Sequence, residues 1–209
     1  MEYIYCYDSP LGPIHMASDG EALIGLWLEG QKYFAQTLGP EVQESDLPIF
    51  RQTAAWLDAY FKPQGGQQLV APALPELPRL APRGSEFRQR VWKLLLEIPY
   101  GEVTTYGALA KRLAAESGRK TMSAQAVGQA VGKNPISIII PCHRVLGADG
   151  SLTGYAGALE GGLELKRALL ELESPEPGLI FGACVADAHP GKFPDAAGKP
   201  VVLDPELII

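Results

Sequence analysis

The stretch 63–83 holds Pro63, Pro72, Pro75, Pro78 and Pro82 together with the pair Gly65-Gly66. Proline has no backbone donor and a fixed φ, so this density opposes both a helix and a central strand and leaves a connection as the reading. The 209-residue chain is thereby divided into an N-terminal domain at 1–62, a linker at 63–83 and a second domain at 84–173. Residues 174–209 carry six prolines and four glycines, which predicts an irregular tail.

Before the linker, short apolar runs at Tyr3–Tyr7, Ile14–Ala17 and Ala22–Leu28 are separated by the turn residues Ser9-Pro10 and Asp19-Gly20. They read as a small antiparallel sheet. After Asp46, the residues Ile49, Phe50, Thr53, Trp56, Leu57, Tyr60 and Phe61 recur at helical spacing and predict a helix packed on that sheet. Beyond the linker, Ser85 is a candidate N-cap for a helix through Phe87, Val91, Trp92, Leu94, Leu95 and Ile98. Further helices are expected from about Thr105, over Ser123 to Val131, and over Leu159 to Glu173. The second and third of these four, joined by a short polar loop, suggest a helix-turn-helix. The run Ile136 to Ile140 reads as an extended apolar segment that leads into Pro141-Cys142-His143-Arg144.

The formal charge of −6 speaks at first against a nucleic-acid partner. Its distribution does not: between Arg83 and Arg167 there are twelve Lys and Arg against seven Asp and Glu, so the positive charge is gathered in one segment. No apolar run approaches the roughly 20 residues of a membrane-spanning helix, and the start does not read as a signal peptide, so a cytoplasmic protein without a membrane partner is expected. The cysteines, Cys6, Cys142 and Cys184, are odd in number and widely spaced, which suggests neither a disulfide framework nor a CxxC metal site. Cys6 and His15 are the only soft-ligand candidates in the first 80 residues, so no metal is expected.

Cys142 is the residue that can carry chemistry. An exposed or semi-exposed cysteine beside a histidine, where a proline halts an extended segment, suits an activated thiolate, with His143 and Arg144 as the local groups able to favour ionisation. By itself Cys-His adjacency is weak, because a lone cysteine is more often a small buried hydrophobe.

The surrounding residues are far more specific. Asn134-Pro135-Ile136 through Ile140-Pro141-Cys142-His143-Arg144-Val145, followed by Gly150-Ser151-Leu152-Thr153-Gly154-Tyr155-Ala156-Gly157, closely resembles the methylated-DNA protein-cysteine methyltransferases. The resemblance runs from about Ser85 to Glu173 and extends less distinctively into the strand-rich segment before it. It implies an α+β fold, with a small ribonuclease H-like sheet-and-helix domain followed by a mostly helical, winged helix-turn-helix-like catalytic domain. It also implies DNA repair by stoichiometric transfer of an alkyl group from O6-alkylguanine, and from O4-alkylthymine, to Cys142, with base flipping and self-inactivation. No cofactor is implied. The partner is double-stranded DNA carrying alkylated guanine, met by a monomer.

The resemblance further implies roles for single residues. Cys142 is the nucleophile, His143 relays its proton through water with Glu173 behind it, Asn134 braces the turn, and Tyr106 donates a hydrogen bond to the departing guanine. Arg144, Val145, Tyr155, Ala156 and Gly157 correspond to the substrate pocket. Thr105, Ser123, Ala124, Gln125, Ala126, Gly128 and Lys133 correspond to the DNA contacts, through a helix whose small side chains suit a narrow groove. Gln125 stands where the family often has an intercalating arginine, and the segment from Ala158 to Lys166 is about three residues longer than the usual spacing. Read singly, Tyr106 and Tyr155 could equally be core aromatics, Asn134 a helix cap and Glu173 a solvated helix residue.

Three rivals have sequence discriminants. A non-catalytic lesion-binding protein of the same fold typically lacks the cysteine that is present here. A transcription regulator would need polar or basic recognition residues where this chain has Ala and Gly. A cysteine hydrolase would need an oxyanion motif, and none is evident.

Overall fold

A computed structural model describes residues 1–62, 72–155 and 161–174, together with two short paired strands at Phe193–Pro194 and Pro200–Val201. The expected sheet forms from β1 (Glu2–Ser9), β2 (Gly12–Ser18) and β3 (Leu23–Leu28), paired antiparallel in sequence order. A short fourth strand, β4 (Val42–Glu44), joins β1 in parallel and gives the order β3-β2-β1-β4. Helix α1 (Pro48–Phe61) starts with proline at its first turn, where the missing N–H costs nothing, and buries its apolar stripe. Phe50 of that stripe stacks on Tyr5 of β1, with ring centroids 5.8 Å apart.

The outer edge of β3 is covered by chain from the other half of the sequence. Leu23 exchanges backbone bonds with Arg79 and Ala81 at 2.8 Å each, and Leu26 does the same with Pro135 and Ser137, also at 2.8 Å. An edge strand otherwise open to aggregation is thus closed by the end of the linker and by the segment that leads to Cys142. One hydrophobic cluster runs through both halves, from Ile14, Leu26 and Phe50 to Trp92, Val127, Ile140 and Leu169.

The helical half begins with α2 (Glu86–Leu96), then α3 (Tyr106–Glu116) and α4 (Ala124–Gly132). Each has a side-chain N-cap, Ser85, Thr105 and Ser123 respectively, whose oxygen accepts a bond from an N–H of the first turn. Trp92 of α2 donates its indole N–H to the Ala130 carbonyl of α4 at 2.9 Å, which ties the second helix of the helix-turn-helix to α2. Two short parallel strands, β5 (Thr104–Thr105) and β6 (Val145–Leu146), link the entry of α3 to the segment after the nucleophile. The last helix of the described core, α5 (Gly162–Glu173), begins at Gly162; residues 156–160 lie outside the described residues, and with them the start expected at Leu159.

The run Ile136 to Ile140 is a correction to the sequence reading. Apart from a bridge between Ile136 and Leu26 it is not extended: it folds into tight turns, with Ile140 N–H donating to the Ile136 carbonyl at 3.1 Å and Ile138 at φ +68°. The cause lies one step upstream, in the side chain of Asn134. Its Oδ1 accepts from Ile136 N–H at 3.0 Å, while its Nδ2 reaches the carbonyls of Ile136 (3.2 Å) and Ile140 (2.8 Å). These local bonds outcompete a strand ladder that has only Leu26 to pair with.

Candidate active site

Cys142 opens a single turn of 3-10 helix, Cys142–Arg144, directly after the Asn134 loop. Contrary to the expectation of an exposed or semi-exposed thiol, the residue is only 8% accessible, at the floor of a cavity of about 790 Å³. Tyr106, Gly128, Asn134, Thr153 and Tyr155 also line that cavity. Gly128 faces Tyr106 across that cavity, and a Cβ there would sit 3.6 Å from the phenol ring, an ordinary contact. The volume falls within the usual range of small-molecule sites, roughly 300–1,000 Å³, and can hold one nucleobase.

Burial pushes the Cys142 thiol up, because the charged form loses its water. Two side chains work against that penalty, Asn134 Nδ2, which donates to Sγ at 3.3 Å, and the ammonium of Lys166, joined by the backbone N–H groups of Cys142 and His143. Lys166 comes from α5 and is fully buried, donating to the carbonyls of Val145 (2.6 Å) and Thr153 (3.0 Å). Burial brings its own pKa down to about 8, and the Cys142 thiolate favours its charged form. Sequence reasoning missed this residue. A signal was present, for Leu165, Lys166, Leu169, Leu170 and Glu173 share the buried face of α5, and a lysine on such a stripe needs a buried partner.

Behind Cys142 lies a second buried centre built on Glu173. Its Oε1 takes bonds from Tyr60 Oη (2.6 Å), His143 Nε2 (2.8 Å) and an Arg144 terminal nitrogen (2.8 Å), while Oε2 takes Arg144 Nε at 2.6 Å and Gly101 N–H at 3.3 Å. Burial would raise this carboxyl, but His143 and Arg144 outweigh it and hold Glu173 well below the usual carboxylate range. Burial likewise lowers the His143 pKa against the pull of Glu173, which favours a neutral ring at pH 7. With Nε2–H spent on the carboxylate, Nδ1 carries the lone pair, and it makes no hydrogen bond to protein among the described residues. The imidazole is therefore set to accept a proton on that side.

The structure brings together Cys142, Asn134, His143, Glu173, Tyr106 and Tyr155. Two expected pocket residues lie elsewhere. Arg144 is turned inward, bound to Glu173 and to the Ile98 carbonyl at 2.7 Å, and Val145 is fully buried with its carbonyl on Lys166. Neither lines the cavity, because the 3-10 turn rotates successive side chains away from the face that Cys142 presents. The charge of Arg144 thus serves the carboxylate and not the thiol. Ala156 and Gly157 lie outside the described residues.

Of the expected DNA contacts, Ala124, Gln125, Gly128 and Lys133 line the mouth of the cavity. Thr105 and Ser123 serve as helix caps, with Ala126 N–H bound to Ser123 Oγ at 3.3 Å. Tyr60, whose hydroxyl completes the Glu173 centre from α1, is legible in the sequence only as a core aromatic.

Residues 3–65 match the family profile described as 6-O-methylguanine DNA methyltransferase, ribonuclease-like domain, and residues 86–175 match its DNA binding domain. A methylated-DNA–protein-cysteine methyltransferase of Haemophilus influenzae is 41% identical over 172 residues, covering 82% of this chain and 86% of that protein. One of Mycobacterium bovis is 44% identical over 169 residues, covering 79% and 88%. Among solved structures, Mycobacterium tuberculosis OGT in complex with DNA is similar with a TM-score of 0.64 and 40% identity, over 86% of this chain and 99% of that one. With both domains matched and the site geometry assembled around Cys142, the chain belongs to the methylated-DNA–protein-cysteine methyltransferase family.

Proposed function

We propose that this protein repairs DNA by moving an alkyl group from O6 of a damaged guanine, and from O4-alkylthymine, irreversibly to Cys142. The observation that carries the reading is the position of the Cys142 thiol, in the lining of a cavity large enough to admit a nucleobase and with Asn134 Nδ2 donating to its Sγ at 3.3 Å. O6 of a paired guanine is inaccessible to such a thiol, so the nucleotide leaves the stack and enters the cavity. Gln125, at the cavity mouth on α4, fills the space that the base vacates, while the small residues of that helix approach the minor groove.

In the transfer step the Cys142 proton passes through water to His143 Nδ1, and Glu173 stabilises the imidazolium that forms. The thiolate then forms a bond to the alkyl carbon as the carbon–O6 bond breaks. The electron pair goes to the guanine, which takes the Tyr106 hydroxyl proton as it leaves and so departs as a neutral base; the tyrosinate is reprotonated from water, and His143 gives its own proton up to water. Burial holds the Tyr106 phenol protonated, as a donor must be. Each chain reacts once, as a monomer in the cytoplasm, because the thioether is not cleaved.

The test is intact-protein mass spectrometry after incubation with a duplex carrying one O6-methylguanine. One methyl group per chain, mapped to Cys142 and missing from Cys142→Ala and from undamaged duplex, is the expected result. Lesion binding without an adduct would sink the transfer reading in favour of a non-catalytic lesion binder.

A further inference from the structure

The cavity that reaches Cys142 has a wall that does not come from the helical half. Gln31, Lys32 and Tyr33, in the turn that follows β3, face α4 across its mouth. This turn is built rather than loose. The side chain of Gln31 is buried, and its Oε1 accepts from Leu28 N–H at 3.2 Å and from Ser137 Oγ at 2.9 Å, so its root is tied both to β3 and to the nucleophile loop. Tyr33 and Ala35 take positive φ, +66° and +52°, a conformation that costs a non-glycine residue about 1–2 kcal/mol and persists only where the surroundings impose it.

What the turn presents is charge. The Lys32 ammonium lies 5.4 Å from the centroid of the Tyr33 ring, and the Lys133 ammonium, from the end of α4, lies 5.3 Å from the same centroid. Among the described residues neither lysine forms a salt bridge with a carboxylate, and a contact with a ring leaves the cation its full charge. In a chain of net charge −6, the lining of this cavity includes no Asp or Glu among the described residues. The part of α4 that borders the cavity offers Gln125 and Gln129 but no cation before Lys133.

We propose that the turn after β3 is a second DNA-contacting element. Lys32, with Lys133 opposite, binds backbone phosphates that flank the nucleotide entering the cavity, and Tyr33 is the spacer that holds both ammonium groups at the rim. The proposal rests on the DNA reading above and adds to it a contribution from the sheet domain. It also locates positive charge that α4 lacks at Gln125.

The experiment uses the full chain carrying Cys142→Ala, so that binding is at equilibrium, and a duplex with one O6-methylguanine. Affinity is measured by fluorescence anisotropy between about 50 and 200 mM salt, a range over which each phosphate contact contributes about −0.9 to the slope of log K against log salt. Adding Lys32→Ala is expected to make the slope shallower by about 0.9, so that affinity falls about 3.5-fold less across that range. Lys32→Arg should restore the slope, and Lys93→Ala, which removes the same charge from α2 away from the cavity, should leave it as in the parent. A Lys32→Ala slope equal to that of the parent overturns the proposal while leaving the DNA reading intact. Failure of the parent itself to bind the duplex removes both.

Discussion

Glu173→Gln is the substitution with the largest consequence that the structure allows to be worked out. The carboxylate faces the Arg144 guanidinium through two bonds and also takes donors from His143, Tyr60 and Gly101. Glutamine has nearly the same shape but no charge, and its amide presents hydrogens to a shell made wholly of donors. Arg144, only 8% accessible, is then a buried cation without a counter-charge, a situation that costs about 3–5 kcal/mol. For a chain of this size each kcal/mol lowers Tm by roughly 2–4 °C, so a fall of about 6–20 °C is expected. The pH dependence is a second signature. Because the folded state holds Glu173 below its ordinary value of 4.5, its contribution is fully present above that value and is lost as pH falls through it towards the depressed folded one. The variant should therefore lose less stability than the parent as pH is lowered below about 4.5. The assay is urea denaturation of the parent, Glu173→Gln, Arg144→Met and the double variant at neutral and acid pH. The double variant should cost less than the sum of the two singles, since removing both partners strands no charge. A single-variant loss under about 1 kcal/mol, or additive losses, would refute the reasoning.

Three further outcomes are expected. Lys166→Met removes the cation beside Cys142, so the thiol becomes still harder to ionise and its reaction with iodoacetamide at neutral pH slows, on the order of tenfold for each pH unit by which its ionisation midpoint rises; an unmoved midpoint in the pH-rate profile would contradict this. Gly101→Ala places a Cβ 2.8 Å from the Glu173 carbonyl oxygen at φ +78°, and thermal denaturation should show a loss of about 1–3 kcal/mol. Gly128→Ala meets only ordinary contact with Tyr106 and should stabilise α4 by about 0.5–1 kcal/mol, yet slow transfer from duplex DNA by filling the cavity wall; unchanged transfer kinetics would show that the wall has room to spare.

What was legible in the sequence is what local chemistry decides. Ser85 caps its helix as its type and place suggest, the helices near Thr105 and Ser123 begin where their spacing places them, and the spacing from Ile49 to Phe61 gives α1 its buried face. The strand β4 was not legible, because Val42–Glu44 is exposed and shows no alternation; it exists through its pairing with β1. The isoleucine-rich run before Cys142 has the composition of a strand, and only the side-chain bonds of Asn134 turn it into a compact loop. At the site, the Pro-Cys-His-Arg motif marked the nucleophile, but not that it is buried or that Arg144 points away from it. Tyr60 and Gln31 act through partners 113 and 106 residues away, a relation that no window of sequence contains.

Those separations bear on the order in which the thiol becomes competent during synthesis. The loop of Cys142 needs Leu26 and Gln31, which emerge early, whereas Lys166 and Glu173 lie on the last helix of the described core. A nascent chain that has released Cys142 but not α5 therefore carries a cysteine without its buried cation and without the carboxylate that orients its histidine. Burial in the folded chain, which pushes the Cys142 thiol up, is thus what keeps a protein that can react only once from spending it on stray electrophiles, and that protection is complete only when the last helix has closed.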